Sequence, residues 1–220
     1  MTRQSAAEMD LWLDKREHEL RTFGGSAEVS NALSRPAGGS PPRGRLIDYL
    51  NSLRGRLTEY GEFVVLDARG QTIATTARQA TPVRLPPDWA KTLRTAEYVL
   101  GQPYWDETAK EATVVLVVPL QPPDAPQRQG AFAAAVRLGS AQQLLKALTE
   151  GTQSQIYLLN ADGSTILNSG GGSAELMASR FKPGTVERLS SREGGTVRYA
   201  NPGGLEAVAG ARQGELLFIA

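Results

Sequence analysis

Two segments near the N-terminus space their apolar residues as an amphipathic helix does. In residues 9–23 the apolar positions fall near one face, with charged residues between them: Met9, Trp12, Leu13, Leu20 and Phe23. In residues 45–60 they recur at alternating steps of four and three: Leu46, Leu50, Leu53, Leu57 and Tyr60. This spacing predicts two helices, separated by the Pro- and Gly-rich residues 35–44, with the second helix ending at Gly61.

From residue 62 onwards the chain consists mostly of extended apolar runs bounded by turn residues. EFVVLDARGQTIATT (residues 62–76) predicts a β-hairpin with Gly70 at its turn, and QIYLLNADGSTILNS (residues 155–169) predicts a second one. Three strands and a short helix are predicted between the hairpins, in residues 96–105, 111–120, 130–138 and 140–150. Ser140 is a suitable N-cap for that helix, and further strands follow the second hairpin in residues 194–213.

The two hairpins repeat one sequence pattern at an offset of 93 residues. Five identical pairs result: Leu66 and Leu159, Ala68 and Ala161, Gly70 and Gly163, Thr72 and Thr165, Ile73 and Ile166. Asp67 corresponds to Asn160 at the first turn position, and both residue types favour a tight turn. Because the order of helix, hairpin and strands also repeats, the sequence predicts an α+β fold made by tandem duplication of one antiparallel module.

Composition and charge exclude several function classes. Lys and Arg number 24 against 23 Asp and Glu, a formal net charge of +1, so neither nucleic acid nor another acidic polymer is an expected partner. The chain has no cysteine, which excludes disulfides and thiolate chemistry. Its longest apolar run, residues 112–120, is too short to span a bilayer, and the polar start MTRQSAAEMD is unlike a signal peptide.

No catalytic, metal or cofactor motif is visible in the sequence. The one histidine, His18, lies in DKREHELR, whose mixed charges are typical of a solvated helix face, and HELRT lacks the second histidine of a zinc helix. The glycine-rich NSGGGSAEL, residues 168–176, has neither the lysine of a phosphate loop nor a dinucleotide-binding spacing, so it is interpreted as a loop. We therefore expect a protein that is not an enzyme and holds no cofactor.

The order of these elements resembles the double Cache family, the PAS-like extracytoplasmic sensor domains of bacterial signalling proteins. The stretches that carry the resemblance cover most of the chain: LWLDKREHELRTF, FVVLDARGQTIATT, QPYWDETAKEATVVLVVPL, AFAAAVRLGSAQQLL, IYLLNADGSTILNS and AVAGARQ. The resemblance implies an N-terminal helical segment (1–61), a membrane-distal, ligand-binding module (62–138), a linker helix (139–154) and a membrane-proximal module (155–220). It also implies one more strand after GARQGELLFIA, so the proximal module is expected to be truncated.

The resemblance implies a sensory function on the periplasmic side of the inner membrane. The parent protein would be anchored by flanking transmembrane helices and would form a homodimer through its N-terminal helices. LWLDKREHEL is most similar to the opening helix of kinase and cyclase sensors, so a sensor histidine kinase is the first expectation, with a chemotaxis receptor or a diguanylate cyclase as alternatives. A stand-alone solute-binding protein and a structural dimerisation module remain further alternatives.

An aromatic cluster marks the expected ligand pocket in the distal module. Trp89, Tyr98, Tyr104 and Trp105 lie close together in a chain that is 6% aromatic, although each could equally be a core residue. The amino-acid-binding members carry the motif Y…RxWY…Y…D. Trp89 and Tyr104 match it, whereas Pro87 and Ala90 depart from it.

The strongest departure is Arg137, in VRL, where those members have an aspartate that binds the ligand's ammonium group. A guanidinium can hold a carboxylate with two parallel hydrogen bonds, so we expect a small carboxylate such as acetate. The alternative places Arg137 on the outer face, paired with Asp106 or Glu107. The predicted ligand-binding residues are Trp89, Tyr98, Tyr104, Trp105, Asp106 and Arg137.

Overall fold

The structure is a computed structural model, and it describes residues 2–33, 43–77, 83–121, 128–151, 155–160, 162–181, 196–201, 204–213 and 216–219. The helices are α1 (Thr2–Gly24), α2 (Ala27–Leu33), α3 (Arg43–Arg56), α4 (Trp89–Thr92), α5 (Gly139–Thr149) and α6 (Ala174–Ala178). The strands are β1 (Tyr60–Asp67), β2 (Thr72–Thr75), β3 (Val99–Leu100), β4 (Tyr104–Asp106), β5 (Glu111–Leu120), β6 (Gly130–Arg137), β7 (Tyr157–Asn160), β8 (Thr165–Asn168), β9 (Thr196–Asn201), β10 (Gly204–Gln213) and β11 (Leu216–Ile219). The predicted α+β class is confirmed. Among the described residues, none of the helices combines the length and apolar character that crossing a bilayer requires.

The second predicted helix ends earlier than its apolar spacing indicated. Leu46, Leu50 and Leu53 are buried along α3, as predicted, but the helix stops at Arg56. Tyr60 instead begins β1, where it pairs with Val136 of β6 and is only 1% exposed. Its spacing fits the helical stripe, but the stronger constraint is its place in the sheet core.

The chain divides into two compact units. The N-terminal unit consists of Asp14–Pro103 and Thr113–Arg137, and the C-terminal unit consists of Met1–Leu13, Tyr104–Ala112 and Leu138–Ala220. One antiparallel sheet has the strand order β2-β1-β6-β5-β3, with β4 also pairing with β5, and the other has the order β8-β7-β11-β10-β9. In each sheet a hairpin lies at one edge, β1–β2 in the first sheet and β7–β8 in the second. The strand beside the inner strand of the hairpin comes later in the sequence than the rest of the sheet, β6 beside β1 and β11 beside β7. The two orders are the same, as duplication predicts.

The repeat extends to individual backbone hydrogen bonds. Gly70 N–H donates to the Asp67 carbonyl at 2.9 Å, and Gly163 N–H donates to the Asn160 carbonyl at the same distance. Both glycines have positive φ, 78° and 81°, a conformation that residues with a Cβ adopt at a cost. The register of each hairpin shifts at the equivalent step, between Val65 and Leu66 and between Leu158 and Leu159.

A second pair of equivalent contacts joins each first strand to the residue after its partner strand. Phe63 N–H donates to Thr76 Oγ1 at 2.9 Å, and Ile156 N–H donates to Ser169 Oγ at 3.2 Å. In return the N–H of Thr76 donates to the Phe63 carbonyl, and the N–H of Ser169 donates to the Ile156 carbonyl. All four residues are buried. The offset of 93 residues therefore relates equivalent hydrogen bonds as well as identical residue types.

Aromatic rings form the centre of the N-terminal unit's core. Phe63 stacks on Tyr60 with centroids 5.2 Å apart and on Phe132 at 5.6 Å. Phe23 of α1 meets Tyr60 and Phe63 edge-on at 6.1 and 6.3 Å. Because β6 is buried on both faces from Ala131 to Val136, its sequence shows no alternation and does not reveal which face Arg137 occupies.

Candidate ligand-binding site

Arg137 lies at the end of β6, where it meets the turn between α3 and β1. Its backbone N–H donates to the Glu59 carbonyl at 2.8 Å, and its Nη1 donates to the Thr58 carbonyl at 3.2 Å. The Nε atom is buried and has no hydrogen-bond partner among the described residues. A Cβ added to Gly61 would lie 4.0 Å from this atom. A guanidinium held on one edge, with an N–H donor left unmatched, can still donate hydrogen bonds to an anion.

Asp106 and Glu107, the alternative partners of Arg137, are engaged within their own turn. Asp106 Oδ1 accepts hydrogen bonds from the N–H groups of Thr108 and Ala109 at 2.8 and 3.0 Å. Glu107 forms an exposed salt bridge with Lys110 at 2.8 Å. Asp106 therefore shapes the turn between β4 and β5, a local role that its position after Trp105 does not reveal.

Trp89 begins the short helix α4 and packs against the first hairpin. A Cβ added to Gly70 would lie 3.2 Å from Trp89 Cζ2, so the ring covers the turn glycine closely. Arg128 donates to the carbonyls of Leu93 and Ala96 after α4, the latter at 3.1 Å. These contacts hold the segment after Trp89 in place.

Tyr98 follows the same segment and is half-buried. Arg21 of α1 donates to the carbonyl of Glu97 at 2.9 Å, directly before Tyr98. Arg21 also pairs with Glu17 on its own helix. The segment that was expected to line the pocket is therefore attached to α1 by an arginine that the sequence pattern did not single out.

Tyr104, Trp105 and Asp106 form β4, and all three are half-buried. They belong to the C-terminal unit, whereas Trp89, Tyr98 and Arg137 belong to the N-terminal unit. A Cβ added to Gly172 would lie 3.8 Å from Trp105 Cζ3. The predicted ligand-binding set is thus distributed over both units, and its role in ligand binding stays a prediction.

A buried polar cluster lies near Arg137, and its members form no motif in the sequence. Arg16 of α1 is only 4% exposed; its Nη1 contacts Glu19 Oε2 at 2.7 Å, and its Nη2 contacts Glu59 Oε1 at 3.4 Å. Tyr60 donates its hydroxyl hydrogen to Glu19 Oε2 at 2.6 Å, and its ring lies 5.8 Å from the Arg16 guanidinium carbon. The usable signal was spacing, because Arg16 falls in the buried stripe formed by Met9 and Leu20.

The cluster shifts the ionisation of its members. Burial raises the pKa of Tyr60 above its ordinary value, and the hydrogen bond to the Glu19 carboxylate adds to the effect. Burial alone would lower the pKa of Arg16, but its hydrogen bond to Tyr60 and the Glu19 charge outweigh burial and raise it. The cluster therefore stays as a neutral phenol and a charged guanidinium at physiological pH.

A cleft of about 450 Å³ opens in the C-terminal unit, between α5 and the turn that follows β8. It is lined by Gln143, Lys146, Ala147, Thr149, Glu150, Gln155, Ser169 and Gly170. No motif joins these residues in the sequence, so pattern analysis gave no indication of the cleft.

Comparison of the sequence with protein-family models and with curated proteins gave no match. Solved structures do match over nearly the whole chain. The ligand-binding domain of the Pseudomonas aeruginosa amino-acid chemoreceptor PctC, solved with GABA, aligns with a TM-score of 0.66 at 14% identity over 99% of this chain and 95% of its own. The sensory domain of Campylobacter jejuni Tlp3 with isoleucine gives a TM-score of 0.68 at 9% identity, covering 99% and 87% of the two chains. That of Pseudomonas fluorescens CtaA with L-serine gives 0.65 at 16% identity, covering 100% and 92%. The chain has the fold of these chemoreceptor ligand-binding domains, and the predicted double Cache fold is confirmed.

Proposed function

We propose that this chain is the ligand-binding sensor domain of a membrane-anchored bacterial signalling protein. The observation that carries the proposal is the fold shared with chemoreceptor ligand-binding domains over 99% of the chain at a TM-score of 0.66. In this role the domain lies in the periplasm, binds a small organic molecule and performs no catalysis itself. Transmembrane helices of the parent protein flank it, and its N-terminal helix pairs with that of a second copy.

The solved relatives favour a chemoreceptor over the histidine kinase that was the first expectation. PctC, Tlp3 and CtaA are all described as chemoreceptors. The kinase expectation depended on the similarity of one helical stretch, LWLDKREHEL, which is weaker support than a match along the whole chain. The output of the parent protein is therefore proposed to be a chemotaxis signal.

For the ligand, we propose a small carboxylate held by Arg137. GABA, isoleucine and serine, the ligands in the three related structures, all carry a carboxylate group. Arg137 offers a buried Nε without a partner among the described residues, and a carboxylate is the natural acceptor for it. Trp89 and Tyr98 contribute from the same unit, whereas Tyr104, Trp105 and Asp106 belong to the C-terminal unit and stay predictions of the sequence. Because an arginine stands where amino-acid-binding members have an aspartate, an acid without an ammonium group, such as acetate, is preferred.

A thermal-shift titration with acetate, GABA and L-isoleucine tests the proposal. At about a hundred times its dissociation constant a ligand adds about 2.7 kcal/mol, which for a chain of this length raises Tm by roughly 5 to 10 °C. Arg137→Ala should abolish the shift, whereas Arg69→Ala, which removes an exposed arginine from the β1–β2 turn, should retain it.

The outcomes separate the function from the site. A shift that persists in Arg137→Ala would keep the sensor and reject Arg137 as the anchor. The absence of any shift across the three probes and a wider panel of organic acids would contradict the proposed sensor function.

A further inference from the structure

We propose that the C-terminal unit contains a second ligand site, the cleft of about 450 Å³ between α5 and the turn after β8, and that it binds a guanidinium-bearing zwitterion. This site is separate from the one proposed around Arg137. The described residues that line it all belong to the C-terminal unit. L-arginine is the simplest probe of the proposed ligand class.

The duplicated architecture indicates what the cleft should hold. Each unit places a helix against the second strand of its hairpin, α3 on β2 and α5 on β8. Aligning the buried Leu46 and Leu50 of α3 with the buried Ala141 and Leu145 of α5 brings Arg54 onto Thr149. The hairpin repeat brings Thr76 onto Ser169, as their matching hydrogen bonds show.

In the N-terminal unit, this place is occupied by a guanidinium from the chain itself. Arg54 reaches from α3 across to the hairpin and donates through Nη1 to the Thr76 carbonyl at 2.9 Å. In the C-terminal unit, the equivalent residue, Thr149, is too short to reach so far. Its hydroxyl instead donates to the carbonyls of Leu145 and Lys146 in its own helix, at 3.3 and 2.9 Å. Both Thr149 and Ser169 line the cleft, so the space that Arg54 fills in one unit is open in the other.

The electrostatics of the cleft favour a cation at the same place. Glu150 directly follows α5 and contributes a carboxylate to the wall. The last turn of a helix carries exposed carbonyl groups and a partial negative charge, which also attract a cation. A guanidinium in the cleft can donate to the Ser169 carbonyl, as Arg54 does to Thr76, and to Glu150 with two parallel hydrogen bonds.

Lys146 adds the requirement for an anionic group at the other end of the ligand. It lies one helical turn before Glu150 on the cleft wall, and neither side chain has a salt-bridge partner in the described part of the chain. A bare cation would be repelled by this ammonium group, whereas a carboxylate would pair with it. The combination of Glu150, Ser169 and Lys146 therefore selects a zwitterion whose cationic end is a guanidinium.

Isothermal titration calorimetry of the whole chain with L-arginine tests the site, with agmatine, which lacks the carboxylate, as the comparison ligand. Saturable binding of L-arginine is expected, with agmatine weaker by about tenfold, the loss of one well-placed ionic contact. Glu150→Gln should weaken L-arginine binding by about tenfold for the same reason. Glu107→Gln removes an exposed carboxylate from the β4–β5 turn and should leave binding unchanged.

Thr149→Arg is the decisive variant, because it supplies in the C-terminal unit the guanidinium that Arg54 supplies in the N-terminal unit. It should abolish L-arginine binding and raise Tm, whereas Thr108→Arg, at an exposed turn position, should do neither. Arg137→Ala should retain the binding, which distinguishes this site from the one in the N-terminal unit.

Three results would overturn the proposal. They are no binding of L-arginine to the wild type, binding that survives Thr149→Arg in a folded protein, and binding that is lost in Arg137→Ala. If Thr149→Arg does not fold, Glu150→Gln decides alone, since that exposed residue is not needed for packing. Unchanged affinity in Glu150→Gln would then reject the site.

Discussion

The hydroxyl group of Tyr60 donates a hydrogen bond of 2.6 Å to Oε2 of Glu19, which joins the first strand of the N-terminal sheet to α1. The same carboxylate oxygen accepts from Arg16 at 2.7 Å, so one acceptor joins a phenol and a guanidinium. Tyr60 is only 1% exposed and stacks on Phe63. The side chain thus belongs to the aromatic core and to the polar cluster at once.

Tyr60→Phe should destabilise the protein while preserving the packing of the ring. The variant leaves the Glu19 carboxylate without its phenol donor, and a hydrogen bond to a charged acceptor contributes about 2 kcal/mol. Urea denaturation measures the change in the free energy of unfolding. Tyr157→Phe is the matched control, because its hydroxyl donates to Gln155 at an exposed site and should contribute less than about 0.5 kcal/mol. Equal losses of unfolding free energy in Tyr60→Phe and Tyr157→Phe would contradict the expectation that burial strengthens the contribution of the Tyr60 hydrogen bond.

The raised pKa of Tyr60 predicts a specific loss of stability at alkaline pH. In the unfolded chain a tyrosine ionises near pH 10, whereas burial and the Glu19 carboxylate keep the folded phenol protonated to higher pH. The stability that this difference confers is complete below about pH 10 and falls as the pH rises above it. Unfolding free energies at about pH 8 and pH 10.5 should therefore decrease more steeply in the wild type than in Tyr60→Phe. Parallel slopes would show that Tyr60 does not titrate abnormally.

The Arg16–Glu19 pair should show strong coupling in a double-mutant cycle. Arg16→Met leaves the carboxylate of Glu19 partly buried beside an apolar side chain, and we expect a cost of about 3 kcal/mol. Adding Glu19→Gln removes the unpaired charge but retains an oxygen that accepts from Tyr60. The double variant should consequently be more stable than Arg16→Met alone. Additive losses would show that the two side chains act independently.

The equivalent hydrogen bonds of the two hairpins should contribute similar free energies. Thr76→Val and Ser169→Ala each leave a buried backbone N–H without its hydroxyl acceptor, at a cost of about 1 to 2 kcal/mol. Thr72→Val, at an exposed position of β2, is the control and should change stability by less than about 0.5 kcal/mol. Because the two bonds lie in different sheets, the double variant should lose the sum of the two single losses.

Gly130→Ala should separate β6 from β1 at the start of β6. A Cβ on this residue would lie 2.1 Å from the Leu66 carbonyl oxygen, a backbone atom that cannot move without disturbing the β1–β6 pairing. We expect a loss of about 3 kcal/mol by thermal denaturation. Gly55→Ala, in α3 with nothing within 4 Å of the added Cβ, should instead stabilise the protein by about 0.5 to 1 kcal/mol. A neutral Gly130→Ala would contradict the close approach.

The sequence was sufficient to predict what depends on local pattern. The turn glycines Gly70 and Gly163, the buried leucines of α3 and the repeated order of elements are all readable from spacing and turn chemistry. From these the α+β class and the duplication follow. The hydrogen bonds between Thr76 and Phe63 can be predicted only once the hairpin register is known. A threonine and a phenylalanine have no intrinsic preference for pairing with each other.

The site was less predictable, because it depends on contacts between distant parts of the chain. Arg137 ends a strand whose other residues are nearly all buried, so the alternation of apolar and polar residues does not show which face of the sheet its side chain occupies. Its hydrogen bond to the Thr58 carbonyl depends on the path of the chain between α3 and β1. The sequence predicts Asp106 as a ligand-binding residue, and the hydrogen bonds that it accepts within its turn are visible only in three dimensions. Thr149 lines the cleft beside α5, and its correspondence to Arg54 emerges only after the two units have been aligned.

The strand order of the sheets has a consequence for how the protein folds as it is synthesised. In each sheet the latest of the described strands to leave the ribosome, β6 or β11, lies between strands made earlier, β1 and β5 or β7 and β10. The early hairpin can form as soon as it is synthesised. The free edge of its first strand, β1 or β7, stays unpaired until its partner strand is translated much later. Pairing over such sequence separations is slow, and the waiting edges are open to incorrect partners. Each sheet is therefore completed by a strand in its middle, and a nascent chain that lacks β6 or β11 holds two separate pieces of that sheet.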